Sequence, residues 1–472
     1  EILTMRQEII NHLKSLLSDS DDWTKERARD ALKYLAQNDE NRSVILSEIE
    51  LKKIEQDLKQ PIVGTEEQQK DVSQKQETDI ILLQLVLEGL DDDELRLRII
   101  SSGIIESLLI IFMNRDLNSI TRIYSETFFQ ITNNSSDEVD LLIYNMKPYS
   151  GLISLLEHTD DYIACDAIVS IFNIIQAGSS TTQDTEQHPH YQSIQACDGI
   201  NKIFSLYQKN GSQFSKDRGA ICIGYLFRAR EITDLTMRQE IINHLKSLLS
   251  DSDDWTKENA KEALKYLAQN EANRSEILNG AELQKIANNL QKQLKGTEDE
   301  KKIIVKTQET DLLLLSSVLE NRDDNEFRSD VSNAGIIDAL LQIFTSRDLD
   351  EITRPYINAF IHFTHPSNFI ICQLILEKQP FQSLLRLLKH KDDYIASDAV
   401  VSIDNIVYYT SLESEQSSQH PFFTNLVSVG GIEKIFSLFK VATNEFSKKI
   451  SAICLGIVHR AQEIKDVDMR KE

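Results

Sequence analysis

Thr4-Met5-Arg6-Gln7-Glu8-Ile9-Ile10 returns as Thr236-Met237-Arg238-Gln239-Glu240-Ile241-Ile242, 232 residues later, and the identity runs unbroken over residues 4–26 and 236–258. The offset does not drift along the copy. Gly103 meets Gly335, Asp161-Tyr162-Ile163 meets Asp393-Tyr394-Ile395, and His188-Pro189 meets His420-Pro421. Two copies in one register, without insertions, imply one fold built twice. The organisation read from this is residues 1–4 as the end of a preceding unit, 5–236 and 237–468 as two units of about five steps each, and 469–472 as the start of a third. The chain therefore reads as a segment cut from a longer array.

A finer period lies inside each copy. Gly-Ile or Gly-Leu followed by apolar residues at helical spacing recurs at Gly103-Ile104, Gly151-Leu152 and Gly199-Ile200, and weaker versions start at Glu8 and Glu48. The resulting steps of 40 to 55 residues each hold two or three helices. In Trp23-Thr24-Lys25-Glu26-Arg27-Ala28-Arg29-Asp30-Ala31-Leu32-Lys33-Tyr34-Leu35, Ala28, Ala31, Leu32 and Leu35 fall at i, i+3, i+4 and i+7, one stripe of an amphipathic helix. Asp21 or Asp22 is placed to cap its first amides. Glu26, Asp30 and Tyr34 share the other side, and Glu258, Glu262 and Tyr266 repeat them. Carboxylates beside a flat ring suit Lys or Arg side chains through charge pairing and cation–π contact.

Composition agrees with a helical array. There are 15 Gly and 7 Pro in 472 residues, well below the average combined usage of about 12%. Sheets rich in tight turns need more of both. The net charge of −24 disfavours phosphate backbones and anionic lipid as partners. No run approaches the ~18 consecutive apolar residues of a membrane span. Cys165, Cys197, Cys222, Cys372 and Cys454 are scattered and odd in number, which reads as free thiols in a reducing compartment, cytoplasm or nucleus.

The unit in which Ala31-Leu32 and Leu35-Ala36-Gln37-Asn38 lead into Asn41-Arg42-Ser43-Val44-Ile45-Leu46, with Gly103-Ile104-Ile105-Glu106-Ser107-Leu108-Leu109 and Gly431-Ile432-Glu433-Lys434-Ile435-Phe436 elsewhere, resembles the armadillo repeat family. The resemblance spans essentially the whole chain. It implies an all-α fold, a right-handed α-α superhelix of armadillo or HEAT type, and a groove lined by third helices that holds an extended peptide or another protein. Importin-like members carry a Trp and an Asn four residues apart on those helices, the Asn gripping the peptide backbone. Asn173 and Asn405 match the Asn, while Val169 and Val401 stand at the Trp position. The implied concave face then carries Glu26, Asp30, Tyr34, Asn173, Glu258, Glu262, Tyr266 and Asn405.

Catalytic and metal chemistry is not expected. His188-Pro189-His190 with Cys197 has a metal-ligand look, but the second copy keeps only His420, with Phe422 and Val429 at the other places. Asn210-Gly211-Ser212 before Lys216 lacks the spacing of a phosphate loop, and its counterpart Asn444-Glu445-Phe446 has no glycine. Residues 60–70, 178–187 and 411–419 read as polar, mobile loops between helices. The expected function is a non-enzymatic scaffold or adaptor, without cofactor or metal, that binds a protein or an extended peptide with basic residues. The alternatives are a regulatory array attached to a catalytic domain such as a kinase, and a structural spacer.

Overall fold

The computed structural model describes residues 2–209, 211–365, 369–412 and 414–471; Asn210 of the phosphate-loop comparison, and Glu1, Glu413 and Glu472, lie outside them. The described residues are helical, with no strand among them. They fall into two compact units, Glu1–Leu245 and Lys246–Glu472.

Within the first unit the longer helices pack in two files. Asp22–Ala36, Glu66–Leu87, Arg122–Thr132, Asp161–Ser179 and Gln213–Leu226 each lie against the next in that order. Glu48–Leu58, Ile104–Asn114, Tyr149–Leu155 and Gly199–Gln208 form the second file. The second unit repeats the arrangement with Asp254–Ala268, Glu298–Leu319, Arg354–Thr364, Asp393–Leu412 and Glu445–Val458 beside Gly280–Leu290, Ile336–Ser346, Phe381–Leu387 and Gly431–Val441. Each apolar stripe is hidden partly by the other helices of its own step and partly by the next step, the stacking logic of a helical-repeat solenoid. The core residues follow the sequence period: Ala28, Leu32 and Ala36 are buried in one copy, and Ala260, Ala263, Leu264, Leu267 and Ala268 in the other.

Local signals fix the helix ends. Asp21, not Asp22, is the cap, its carboxylate accepting from the Thr24 amide at 2.8 Å, and Asp253 does the same for Thr256. Gly103 (φ 90°) and Gly335 (φ 83°) take left-handed backbone between two helices. A side chain there would be strained, which explains glycine at these two positions, whereas at Gly199 it is space that is short, a Cβ standing 2.6 Å from the Ile194 side chain.

Two loop expectations are corrected. Residues 60–70 are not one long loop, because a capping box joining Thr65 and Gln68 starts the 22-residue helix Glu66–Leu87 there. Thr297 and Glu300 build the same box at the head of Glu298–Leu319. The long step is thus extra helix. Buried Gln76 then pins the preceding helix end, its Nε2 donating to the carbonyls of Asp57 (2.9 Å) and Gln60 (2.9 Å) while Oε1 accepts from Arg115 (2.7 Å). Gln308 and Arg347 repeat that arrangement. The loop after Ser179 is likewise tied down, by Arg228.

Asp161–Ser179 is, among the described residues, the one helix long and apolar enough by length and composition to cross a membrane, although no apolar run in the sequence reaches that length. It is a core helix of the first unit, packed against Arg122–Thr132 on one side and Gln213–Leu226 on the other.

Candidate functional site

The file of longer helices that closes each step, here the third helices, carries most of the expected site residues, and the two copies present them differently. Glu26 and Asp30 are exposed, and Tyr34 is 74% exposed. Glu258 is exposed and Glu262 half-buried, but Tyr266 is only 6% exposed. The acidic and aromatic stripe is therefore not an outward face repeated in both copies. Two of its acids already have a cation. Asp30 stands 4.0 Å from Arg27, and Glu262 pairs with Lys265 at 3.0 Å. Lys265 also lies 3.4 Å from Glu320, whose neighbours include Lys261 at 3.5 Å and His362 at 3.8 Å. In the first copy the equivalent Lys33 reaches Glu88 at 2.6 Å.

The two asparagines also diverge. Asn173 spends its amide on the protein itself, donating from Nδ2 to the carbonyl of Thr132, the last residue of the neighbouring third helix, at 2.9 Å. Asn405 Nδ2 is buried and has no hydrogen-bond partner among the described residues. One of the pair is committed to holding two helices together, and only the other keeps a donor unspent.

Sequence reasoning passed over a pair of arginines on this layer. Arg122 forks onto Asp160 at 2.6 and 3.1 Å and lies 4.0 Å over the ring of exposed Tyr162. Arg354 does the same with Asp392, at 2.8 and 3.3 Å, and with Tyr394 at 4.1 Å. The recurrence of Asp161-Tyr162-Ile163 was the visible signal; the arginine some forty positions upstream was not. In the second unit a groove of about 800 Å³ crosses three consecutive third helices and is lined by Lys257, Glu258, Lys301, Lys306, Glu309 and Arg354 among others. Both signs of charge line it.

His188, His190 and His420 are structural. His188 is buried, with Nε2 3.0 Å from the Ile175 carbonyl and 3.1 Å from Ser179 Oγ, and Nδ1 accepts from the His190 amide. His190 stacks on Tyr144 with ring centroids 3.6 Å apart, and its Nδ1 lies 2.7 Å from the Tyr149 hydroxyl. Burial holds His188 at a pKa of about 3 and His190 at about 4, so both are neutral. His420 keeps the backbone bonds alone, to the Val407 carbonyl and the Phe422 amide. Among the described residues no group of three or more His, Cys, Asp or Glu is arranged to hold a metal ion.

The loop between these helices rests on Arg228, fully buried. Its guanidinium donates to the carbonyls of Glu186 and Ser179, both at 2.9 Å, and to the Thr182 hydroxyl. Arg460 repeats this on Ser418, Ser411 and Ser414.

No protein-family model matches the chain, and no curated protein matches it either. Among solved structures, the crystal structure of an engineered protein from the Northeast Structural Genomics Consortium is similar to it, with a TM-score of 0.57 and 17% identity over 95% of this chain and 98% of that one. At that identity the similarity is one of fold. Helices, with no strand among the described residues, stacked step on step in two related copies at a 232-residue offset, make this an all-α helical-repeat protein of solenoid type.

Proposed function

We propose that the chain is a non-catalytic scaffold of armadillo-like character that holds a partner protein or an extended peptide with basic residues along its third helices. The observation that carries the reading is the groove across Asp254–Ala268, Glu298–Leu319 and Arg354–Thr364, where Glu258 and Glu351 stand beside Glu298, Glu309 and Asp350, three carboxylates that a basic guest would take over from Lys301, Thr353 and Lys391. Lys301 and Lys306 on the same wall set register by repelling a misplaced cation. The overall charge of −24 draws basic segments toward the surface. Five free cysteines, three of them buried, accord with a cytosolic or nuclear setting.

The test is fluorescence anisotropy with labelled extended peptides in which Lys or Arg alternates with small residues. Binding is expected to weaken about tenfold in the double variant Glu258→Lys/Glu309→Lys, and to fall steeply as salt rises. Affinity that ignores both the reversal and the salt would remove the groove from consideration.

A further inference from the structure

One polar pair is built in both copies, and the copies differ in it by a donor. In the second unit Asn289, near the end of the helix Gly280–Leu290, donates from Nδ2 to Asp311 Oδ2 on Glu298–Leu319 at 2.7 Å. Its own Oδ1 accepts from Lys292 at 2.7 Å. In the first unit the same two places hold Asp57 and Asp79, on Glu48–Leu58 and Glu66–Leu87. Asp57 Oδ1 again has its donors, Lys75 at 2.7 Å and Gln60 at 3.1 Å. The other oxygen is where the copies part. An aspartate has no amide to give, so Asp57 Oδ2 and Asp79 Oδ2 stand buried with no donor among the described residues. Asp57 is 4% exposed and Asp79 6%, and the two carboxyls lie within hydrogen-bonding reach of each other.

Two acceptors that meet in a buried place repel unless a proton stands between them. The surroundings place that proton on Asp79. Lys75 and Gln60 favour the ionised form of Asp57, whereas Lys53 and Lys14, the cations near Asp79, are each bonded to Glu50, at 3.2 and 3.0 Å. On the side of the helix Arg122–Thr132, Arg115 lies over the Tyr124 ring and is bonded to Gln76 at 2.7 Å. The helix Asp22–Ala36 sends its Lys33 to Glu88, at the far end of Glu66–Leu87. Burial and the charge of Asp57 push Asp79 up to about 7, against the pull of Lys53. Asp79 also lines a cleft of about 530 Å³ with Lys14 and Lys75, which gives the proton a way to water. One turn earlier, Gln76 fastens the same helix end through the Asp57 and Gln60 carbonyls.

We propose that Asp57 and Asp79 form a proton-operated clasp: one hydrogen shared between the two carboxyls ties the end of Glu48–Leu58 to Glu66–Leu87, and its departure loosens that joint in the first unit alone. The second unit is exempt, since the Asn289 amide supplies its hydrogen at every pH. In the locally open state Asp79 meets water and ionises near the ordinary 3.8, while in the closed state it keeps its proton to about 7. The clasp is therefore tightest below the first value, weakens as pH rises from one to the other, and levels off above the second, where both states are ionised.

Hydrogen–deuterium exchange of the full chain, read by mass spectrometry and corrected for the intrinsic rate at each pH, tests this. From about pH 5 to about pH 8 the protection of residues 51–59 should fall about thirtyfold in the wild type. The equivalent residues 283–291 should change about fivefold at most. Asp57→Asn gives the first unit the pair of the second and should bring its response into that smaller range. Asp79→Asn leaves no acid there to titrate and should do the same. Each variant puts an amide hydrogen where the shared proton stands, circular dichroism checks that the fold is kept, and either variant suffices if the other misfolds. A wild type in which 51–59 responds no more than 283–291, or variants that keep the wild-type response, overturns the clasp.

Discussion

The loop that follows the longest apolar third helix is built twice, and the two versions use the same backbone bonds around different plugs. In the first unit Tyr144, Tyr149, Gly178 and His190 meet: the imidazole stacks on one tyrosine, bonds the other, and lies so close to Gly178 that a Cβ there would stand 2.5 Å from the ring. In the second unit the same places hold Leu376, Phe381, Thr410 and Phe422. The polar plug has become apolar, and the missing methyl has been returned. Yet His188 and His420, and Arg228 and Arg460, bind equivalent carbonyls and amides in both. Bonds to the main chain survive substitution of the side chains around them, whereas a plug changes only as a set.

The heaviest blow to this comparison falls on the arginines. Arg228→Met strands two carbonyls in a fully buried place, and should cost about 3 kcal/mol in urea denaturation of the first unit. Arg460→Met, at a half-buried position, should cost about half of that. Equal losses would mean that burial is not what separates the two locks.

Next comes the plug itself. Gly178→Thr alone should cost about 2 kcal/mol, because the ring it meets is pinned on both sides. Adding Tyr144→Leu, Tyr149→Phe and His190→Phe should recover at least half of that loss, a favourable coupling of about 1 kcal/mol or more. Strict additivity across the four positions would show that they do not act together.

The smallest effect is a difference in pH response. His190 is held near 4 and His188 near 3 by burial, whereas an unfolded chain protonates near the ordinary 6.5. As pH falls below 6.5 the unfolded chain takes up protons that the folded one refuses, so their contribution is intact above 6.5 and is lost toward pH 4. Asp140, raised to about 7, and Asp166, raised to about 6, act in the opposite sense, since burial favours their protonated form. Comparing wild type with His190→Phe isolates one imidazole. Between pH 7 and pH 5 the wild type should lose about 1–2 kcal/mol relative to the variant. Parallel curves would mean that His190 is charged in the fold.

Much of the architecture is written locally. The spacing of Ala28 and Leu32, the cap Asp21 and the glycine before Ile104 each act within a turn or two of chain, and each is legible for that reason. The misread segment 60–70 shows the limit of composition, since Thr65-Glu66-Glu67-Gln68 is as polar as a loop and is in fact a helix start. The candidate site was less legible, because it depends on what lies across the fold. Tyr34 and Tyr266 follow nearly the same local sequence and differ entirely in exposure. Asn173 meets Thr132 from 41 positions away. Arg228 and Gln76 look like surface residues in a chain that is 27% charged, and only the positions of distant carbonyls make them interior fasteners.

Because Arg228 grips carbonyls and a single hydroxyl at Thr182, its hold on residues 183–187 runs through the main chain, and Glu186 on the Gln183 amide and Gln187 on Arg230 add only exposed bonds to it. That makes the tip a natural graft point. A foreign epitope or a fluorophore-bearing cysteine could be carried there, and again beside Arg460, giving two evenly numbered handles 232 residues apart on a frame that tolerates the cargo.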